Sequence, residues 1–326
     1  MHACICKGGK FMMDKISLSV LIKGYRDRLT FTDCISFNFD KERYTPYSVF
    51  SGSFLINVTF GEIVDVEVTV NNTLIHKGVV DIFKKTISSK GMILYISSRG
   101  YSLSLGNCML ANEIKYGLTL TQLINQSYAP PYVTYSDTGK TVNYLYIKEH
   151  ASLWEAIVNH SLKLGNFYPY ISYPNKISCS MPVSQKNILL NNADSIISYS
   201  ENVDNTKIIS HIHMRDLDGT YNSFNLENSY ATSRKIIRHK HINYDRQWTS
   251  DNTNGLQYKI NYFMRGCKSF EVVYRGFNGE DINDAFLIQT NLIVLPSKNI
   301  SVVNISGNSK GIFTKLTAYV DNYNNI

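Results

Sequence analysis

Two histidine pairs with the same spacing stand out as residues whose types and positions could do chemistry. His211 and His213 lie in a segment with strand character, and alternate residues of a strand project to one face. His239 and His241 repeat the spacing, so the four side chains could in principle complete a four-histidine metal site. No carboxylate lies between the pairs at a fixed metal-site spacing, and no H-E-x-x-H motif occurs. The pattern therefore favours two exposed histidine pairs on a polar surface, and we predict no metal.

A cysteine nucleophile activated by histidine is a second chemistry that the residue types allow. Cys108 could pair with His150 or His160, but nothing in the local sequence supports this beyond the residue types. Cys4 and Cys6 form a C-x-C, with no second pair nearby to complete a tetrahedral zinc site. The six cysteines are otherwise far apart, which favours inert, reduced thiols over a disulfide framework.

Acidic residues and short motifs also fail to define a catalytic centre. The acids near the helical part of the chain are explained by a solvated surface; they are Glu113, Asp137, Glu149 and Glu155. A carboxylate pair for glycoside hydrolysis is defined by its separation in space, so the sequence cannot select one. G-x-S-x-G, P-loop and Rossmann glycine patterns are absent. The sequence therefore predicts no catalytic residue, no cofactor and no enzymatic activity.

Charge and composition exclude several classes of protein. The hydrophobic share of 44% with 18% charged residues is far from that of a disordered chain. The net charge of +7 permits an acidic partner, but no run of five or more basic residues predicts a nucleic-acid tail. One basic cluster consists of Arg234, Lys235, Arg238 and Lys240, which we interpret as a solvated loop, with an interface as the alternative. No apolar stretch approaches the roughly 20 residues of a membrane span, and no signal peptide is evident. We therefore expect synthesis in the cytoplasm and no membrane insertion.

The elements that would position these residues begin with a β region. Four valines alternate with polar residues between positions 64 and 70, which is a strand pattern. Asn71 and Asn72 follow, and asparagine tolerates the positive φ that a tight hairpin needs. Further strand patterns at close spacing predict a small antiparallel barrel. We assign residues 1–13 to a flexible leader and 14–98 to a first, tube-like β-barrel domain.

Helical spacing appears after residue 99, and residues 99–192 are predicted to form an α/β domain. A first helix covers 118–124, with Thr119 or Thr121 as its cap. A second covers 151–165, where Trp154 and Ile157 belong to one apolar stripe, so Trp154 is interpreted as a core residue. Gly165 stands where a helix end favours positive φ. A hairpin with its turn at 174–175 follows.

A second β region closes the chain. We assign residues 193–326 to a second β-barrel domain with an irregular polar insertion at about 217–254, a helix near 256–268, and strands at 269–277, 292–306 and 312–320. The tripeptide Ser-Lys-Gly at 89–91 recurs at 309–311, each time in the last hairpin of its β region. The two β regions are therefore interpreted as versions of one fold. The predicted fold class is mainly β with an α+β insertion, in which two related small β-barrel domains flank or enclose an α/β domain.

This order of elements resembles the baseplate hub proteins of contractile phage tails, the Mu-like hub and late-control-protein family shared with R-type bacteriocins. Two loose family motifs, one leaving the first barrel and one in the second helix, are matched in kind by Ser98, Arg99, Ser102, Leu105, Ser152, Trp154, Ile157 and Gly165. The resemblance covers about residues 14–322. The segment 217–254 departs from it, because it is rich in asparagine and lacks the family's small-residue helix character, and the leader has no counterpart.

The resemblance implies a structural hub without a catalytic site. Such hubs are trimers in which each chain contributes two related barrels. The six barrels of the trimer match a hexameric tail tube, and its three chains match a trimeric spike. The implied partners are two further copies of the chain, the tail tube protein, the central spike protein and the surrounding baseplate wedge proteins. DNA would pass through the ring without sequence-specific binding. Two alternatives remain: a tail-associated cell-wall hydrolase, and a glycan- or receptor-binding tail protein with tyrosines as stacking platforms.

Overall fold

The structure is a computed structural model that describes residues 15–320, apart from positions 90, 129, 166, 180–185, 193 and 250. The predicted leader, residues 1–13, therefore lies outside the described residues, as do Cys4 and Cys6. Within the described part, no helix is both long enough and apolar enough to cross a membrane.

The first β region consists of seven strands with alternating burial. They are β1 (Ile16–Ile22), β2 (Arg28–Phe31), β3 (Cys34–Glu42), β4 (Ser48–Ile56), β5 (Ile63–Val70), β6 (Thr73–Ser88) and β7 (Gly91–Gly100). Val66, Val68 and Val70 of β5 are fully buried, and Glu67 and Thr69 between them are half-buried. Asn71 and Asn72 have φ of 50° and 63° and connect β5 to β6, which confirms the predicted hairpin turn.

The helical part of the chain follows β7. Its elements are α1 (Leu103–Asn107), β8 (Glu113–Leu118), α2 (Leu120–Gln126), β9 (Thr134–Tyr135), β10 (Val142–Ile147), α3 (Leu153–Gly165), β11 (Tyr170–Ser172) and β12 (Lys176–Ser178). The predicted cap at Thr119 is confirmed, because Thr119 Oγ1 accepts a hydrogen bond from Gln122 N at 3.1 Å. Gln122 Oε1 accepts one from Thr119 N at 2.9 Å, so two amide donors at the start of α2 are satisfied reciprocally.

The second β region contains ten strands and two helices in the described part of the chain. They are β13 (Asn187–Asn191), β14 (Ile196–Val203), β15 (His211–Met214), β16 (Phe224–Glu227), α4 (Ser229–Thr232), β17 (His239–Ile242), α5 (Asn252–Met264), β18 (Lys268–Arg275), β19 (Ala285–Gln289), β20 (Val294–Asn299), β21 (Val302–Asn308) and β22 (Gly311–Tyr319), with a 3-10 turn at Arg246–Trp248 before α5. The helix predicted near 256–268 exists but begins at Asn252, because Asp251 Oδ1 caps it by accepting from Asn254 N at 3.2 Å.

Strands of both β regions join in one sheet of eleven strands, in the order β14-β18-β22-β21-β3-β4-β7-β6-β5-β1-β2. The two halves meet where β3 pairs antiparallel with β21, so that Phe39 lies opposite Ile305 and both side chains are fully buried. The sheet is curled into a half-barrel, with 49% of the described residues in strands and 15% in helices, which confirms the mainly β class with a helical insertion. The division into domains at 14–98, 99–192 and 193–326 stays a prediction.

The two hairpins that contain the repeated tripeptide have the same geometry. In the first, Ser88 lies opposite Gly91, and in the second Asn308 lies opposite Gly311, so each turn contains two residues. The φ of Gly91 is 117° and that of Gly311 is 121°, a conformation that side chains strongly disfavour. The two β regions therefore end in equivalent turns as well as in a repeated sequence.

A buried ion pair connects β3 to the loop before β19. Lys41 is 3% exposed, and its Nζ lies 2.6 Å from Asp281 Oδ1. Asp281 Oδ2 also accepts from Tyr173 N at 2.7 Å, and Arg43 Nη1 donates to Asn283 Oδ1 at 2.9 Å. Burial lowers the pKa of Lys41, although the carboxylate of Asp281 opposes that change. This network connects both β regions and the β11–β12 hairpin.

Candidate functional site

The segment that leaves the first β region has structural contacts. Arg99 Nε and Nη2 donate to the two carboxylate oxygens of Asp81 at 2.8 and 2.7 Å. Ser102 is fully buried, and its Oγ donates to Asn175 Oδ1 at 3.3 Å. Asn175 Nδ2 in turn donates to Lys77 O at 3.0 Å. Of the residues that carry the family resemblance here, Ser102 holds the β11–β12 turn against the sheet and Arg99 connects β7 to β6.

Helix α3 contributes core residues to the helical part of the chain. Trp154 is 7% exposed, Ile157 is fully buried, and the Trp154 ring meets Tyr168 edge-on with centroids 6.4 Å apart. The predicted positive φ at Gly165 is wrong, because α3 continues through this residue. The glycine is instead required by space: a Cβ at Gly165 would lie 2.0 Å from the ring of Phe167.

The possible nucleophile pair is not assembled. His160 Nε2 lies 3.1 Å from Leu118 O and therefore donates to it, and burial lowers the pKa of this imidazole. His150 is exposed, with Nε2 3.5 Å from a carboxylate oxygen of Glu149. Among the described residues, no hydrogen bond joins the thiol of Cys108 to either imidazole. The geometry therefore offers no activated cysteine at this place.

The two histidine pairs come together in one small sheet. β15 pairs in parallel with β17, so that His211 lies opposite His239 and His213 opposite His241. All four imidazoles project to the same face, and we call them the histidine ladder. Ring centroids lie 4.3 Å apart for His211 and His239, and 4.6 Å apart for His213 and His241. The sequence predicted the shared face within each pair but not the contact between the pairs.

Hydrogen bonds fix the protonation pattern in the middle of the histidine ladder. Asn225 Nδ2 donates to Asn222 O at 2.9 Å, so its Oδ1 faces His213 Nδ1 at 2.6 Å. Because Oδ1 can only accept, His213 carries its proton on Nδ1 and has a lone pair on Nε2. That Nε2 lies 2.9 Å from His239 Nδ1, which must donate to it. Partial desolvation and the other three imidazoles lower the pKa of His239.

The opposite face of this small sheet holds the ladder in position. Ile212 and Met214 alternate with the histidines of β15 and are buried against Leu256 and Ile260 of α5. The apolar contacts of α5 therefore determine which face of β15 and β17 is exposed to solvent.

Two exposed members of the basic cluster make contacts within the chain. Arg238 Nη1 donates to three main-chain oxygens of residues 205–208 at 2.5–3.3 Å. Lys240 Nζ lies 4.1 Å from the ring centre of Phe263 on α5. These side chains stabilise the local fold, which sequence reasoning could not distinguish from a solvated loop.

The other two members are exposed as well. The guanidinium of Arg234 stacks 3.6 Å above the ring of Tyr230, and Lys235 has a φ of 60° in the turn that follows α4. An interface role for the cluster stays a prediction, and all four of its members are exposed.

An open aromatic groove lies between α3 and α5 and was not predicted. It has a volume of about 490 Å³ and contains three lysines and one glutamate among its lining residues. Its aromatic lining consists of Trp154, Tyr168, Trp248, Tyr258, Tyr262 and Phe263. Residues distant in the chain, such as Trp154 and Tyr258, form its two walls, so no local pattern could have revealed it.

Comparison with solved structures finds full-length matches to tail proteins. The prophage MuSo2 43 kDa tail protein from Shewanella oneidensis matches with a TM-score of 0.69 and 12% identity over 94% of this chain and 98% of that one. A tail protein from Neisseria meningitidis MC58 matches with a TM-score of 0.66 and 11% identity over 94% and 96%. This chain has the fold of phage tail proteins.

The same fold extends to a secretion machine. An E. coli component of the type VI secretion system, described as structurally similar to T4 bacteriophage tail proteins gp27 and gp5, matches with a TM-score of 0.54 and 11% identity, over 92% of this chain and 76% of that one. No protein-family model matches the sequence, and no curated protein matches it either. The tail-protein fold is thus evident from the backbone at identities too low for sequence comparison.

Proposed function

We propose that this chain is the structural hub of a phage tail or phage-tail-like bacteriocin. In this role, three copies form a ring that joins the hexameric tail tube to the trimeric central spike, with the wedge proteins of the baseplate around it. The observation that carries the proposal is the extent of the fold match, which includes 94% of this chain and 98% of a prophage tail protein. The protein would be made in the bacterial cytoplasm, have no catalytic activity, and leave a passage for DNA.

The equivalent hairpins support the symmetry part of the proposal. A trimer can match a hexameric tube only if each chain presents two similar surfaces, because closed rings repeat their contacts by rotation. The turns at Gly91 and Gly311 have the same length, the same φ within a few degrees and the same place at the end of a β region. Each chain thus offers two candidate contacts for neighbouring tube subunits.

An open sheet edge supports the ring. β14 is a terminal strand of the eleven-stranded sheet, and six of its eight residues are exposed. Ile197 is 57% exposed and Val203 58% exposed on this strand. A long exposed edge with apolar side chains favours pairing with another chain, so monomeric proteins usually protect such edges. We assign this edge to the contact between copies.

The proposal is tested by the oligomeric state and by assembly. Native mass spectrometry of the full chain is expected to give a trimer, and the trimer is expected to bind the tube and spike proteins of the same tail. Ile197→Lys should raise the dissociation constant of the trimer at least about tenfold, which corresponds to about 1.4 kcal/mol of association free energy. Leu292→Lys is the matched control, since Leu292 is 94% exposed in the β19–β20 turn, outside the large sheet.

Two results would contradict this assignment. A protein that stays monomeric at high concentration and binds neither the tube nor the spike protein is not a hub. An Ile197→Lys variant that trimerises as well as the control would exclude the β14 edge from the ring contact.

Recognition of a glycan or receptor is a second candidate function, favoured by the aromatic groove. Tyr262 is 38% exposed in it, and aromatic faces beside polar groups suit ligands with both apolar and hydroxylated surfaces. Binding of the full chain to a glycan array, lost in Tyr262→Ala and Phe263→Ala, would support this function. Binding that persists in both variants would exclude the groove.

A further inference from the structure

We propose that the histidine ladder is a binding site for a divalent transition-metal ion of the Ni²⁺, Cu²⁺ or Zn²⁺ type. This site is independent of the hub function and departs from the expectation that the sequence alone supports. Neutral imidazole is a preferred ligand of these ions, and four imidazoles lie on one face of the small sheet formed by β15 and β17.

The central pair of nitrogens already has a suitable separation. His213 Nε2 and His239 Nδ1 face each other at 2.9 Å. Two nitrogens bound at about 2.1 Å to one metal ion lie about 3.0 Å apart in a right-angled arrangement and about 3.4 Å apart in a tetrahedron. The separation of the pair therefore already suits a metal with right-angled positions, such as Ni²⁺ or Cu²⁺, whereas Zn²⁺ requires it to open by about half an ångström. Because the two parallel rings face each other in line, each must turn by roughly 45° so that its lone pair points at the ion.

The hydrogen bonds of His213 prepare it as the first ligand. Its Nδ1–H donates to Asn225 Oδ1, whose orientation is held by the bond from Asn225 Nδ2 to Asn222 O. Ligating histidines usually donate their other ring N–H in this way, which fixes the tautomer and orients the lone pair. His239 becomes the second ligand when its proton moves from Nδ1 to Nε2 through solvent, so no net charge is taken up or released by the ring.

The other two histidines supply further ligands after a rotation. As they stand, no three histidine, cysteine or acidic side chains in the described part of the chain converge on one point. His241 lies 4.6 Å from His213, and His211 lies 4.3 Å from His239, centroid to centroid. His241 is exposed, so its ring can turn about its side-chain bonds at little cost. Water would complete the coordination.

The β15–β17 sheet beneath the histidine ladder limits the entropy that is lost when the site is ordered. The β15–β17 pairing places the Cα atoms of all four histidines in register, and Ile212 and Met214 anchor β15 to α5. Binding therefore orders side chains but not backbone, and it should fasten β17 to β15. A bound ion is expected to stabilise the folded protein by an amount that rises with the logarithm of its concentration above the dissociation constant.

The test uses the full chain without an affinity tag, titrated with NiCl₂ in a calorimeter, with the melting temperature measured in parallel. We expect saturable binding of one ion per chain and a melting temperature that rises with Ni²⁺. His213→Gln combined with His239→Gln should weaken binding at least tenfold and abolish the temperature shift. His150→Gln, which removes an exposed histidine elsewhere, should leave both unchanged. Because His239 is exposed, His239→Gln alone decides the question if the double variant does not fold.

A second control separates the ladder from the C-x-C at the N-terminus. Cys4→Ser with Cys6→Ser should bind Ni²⁺ as the unchanged protein does. The proposal is overturned if no saturable binding occurs, if the double histidine variant binds equally well, or if binding is lost in the cysteine variant instead.

Discussion

The imidazole of His76 should make the stability of the protein depend on pH in the acidic range. This side chain is fully buried in the first β region, between the rings of Phe39 and Phe50. Ser98 Oγ donates to Val79 O at 2.7 Å, so it must accept from His76 Nε2, which lies 2.9 Å away. The other ring nitrogen then carries the lone pair. It lies 2.8 Å from Ser48 Oγ, which can donate to it, so both ring nitrogens of the neutral imidazole are hydrogen-bonded.

Burial, with a smaller contribution from Lys41, lowers the pKa of His76 from 6.5 to about 3. Because the folded value lies below the unfolded one, the unfolded chain takes up a proton between these two pH values and the folded protein does not. The stabilisation is present above pH 6.5 and is lost progressively as the pH falls toward 3. Relative to its value at high pH, the free energy of unfolding is therefore lower by about 0.2 kcal/mol at about pH 7 and by about 2 kcal/mol at about pH 5.

Urea unfolding at several pH values, followed by tryptophan fluorescence at one protein concentration, measures this loss. The difference in unfolding free energy between the unchanged protein and His76→Gln should shift by about 2 kcal/mol between about pH 7 and about pH 5, because glutamine does not titrate. His150→Gln is the matched control, since His150 is exposed and its removal should leave the pH dependence unchanged. Parallel loss of stability in the unchanged protein and His76→Gln would refute the argument. If the variant does not fold, an NMR titration that shows His76 gaining a proton near its ordinary pKa refutes it equally.

Three further substitutions test the packing and the caps by urea unfolding. Gly78→Ala should lower the free energy of unfolding by about 3 kcal/mol or more, because its Cβ would lie 2.1 Å from a main-chain oxygen of β7. Gly61→Ala is the control: its nearest contact would lie at 3.7 Å, so the free energy of unfolding should change by less than about 0.5 kcal/mol. Asp281→Asn should lower the free energy of unfolding by about 3–5 kcal/mol, since it leaves the buried ammonium of Lys41 without its carboxylate. A smaller decrease would mean that water reaches Lys41. Thr119→Ala should cost about 1 kcal/mol by removing the capping box of α2, and an unchanged stability would show that the cap contributes nothing.

Sequence patterns predicted the turns and caps that depend on interactions between neighbouring residues. The Asn71–Asn72 turn and the cap at Thr119 follow from the conformational and hydrogen-bonding preferences of residues next to each other in the chain. The reason for Gly165 could not be found in this way, because the same residue serves a helix end or a close contact. Here the ring of Phe167 occupies the space, and the helical φ is ordinary.

The candidate sites depend on contacts between distant parts of the chain, which periodicity does not specify. Each H-x-H pattern predicts that two imidazoles share a face, but nothing in four exposed or half-exposed residues selects a parallel partner or its register. The pairing of β15 with β17 instead follows from Ile212 and Met214, which must be covered by α5 on the other face. A substitution such as Leu256→Ala should therefore disturb the histidine ladder without touching a histidine. The same logic holds for the sheet as a whole: Phe39 and Ile305 each predict a buried strand, and only their mutual burial makes β3 and β21 neighbours.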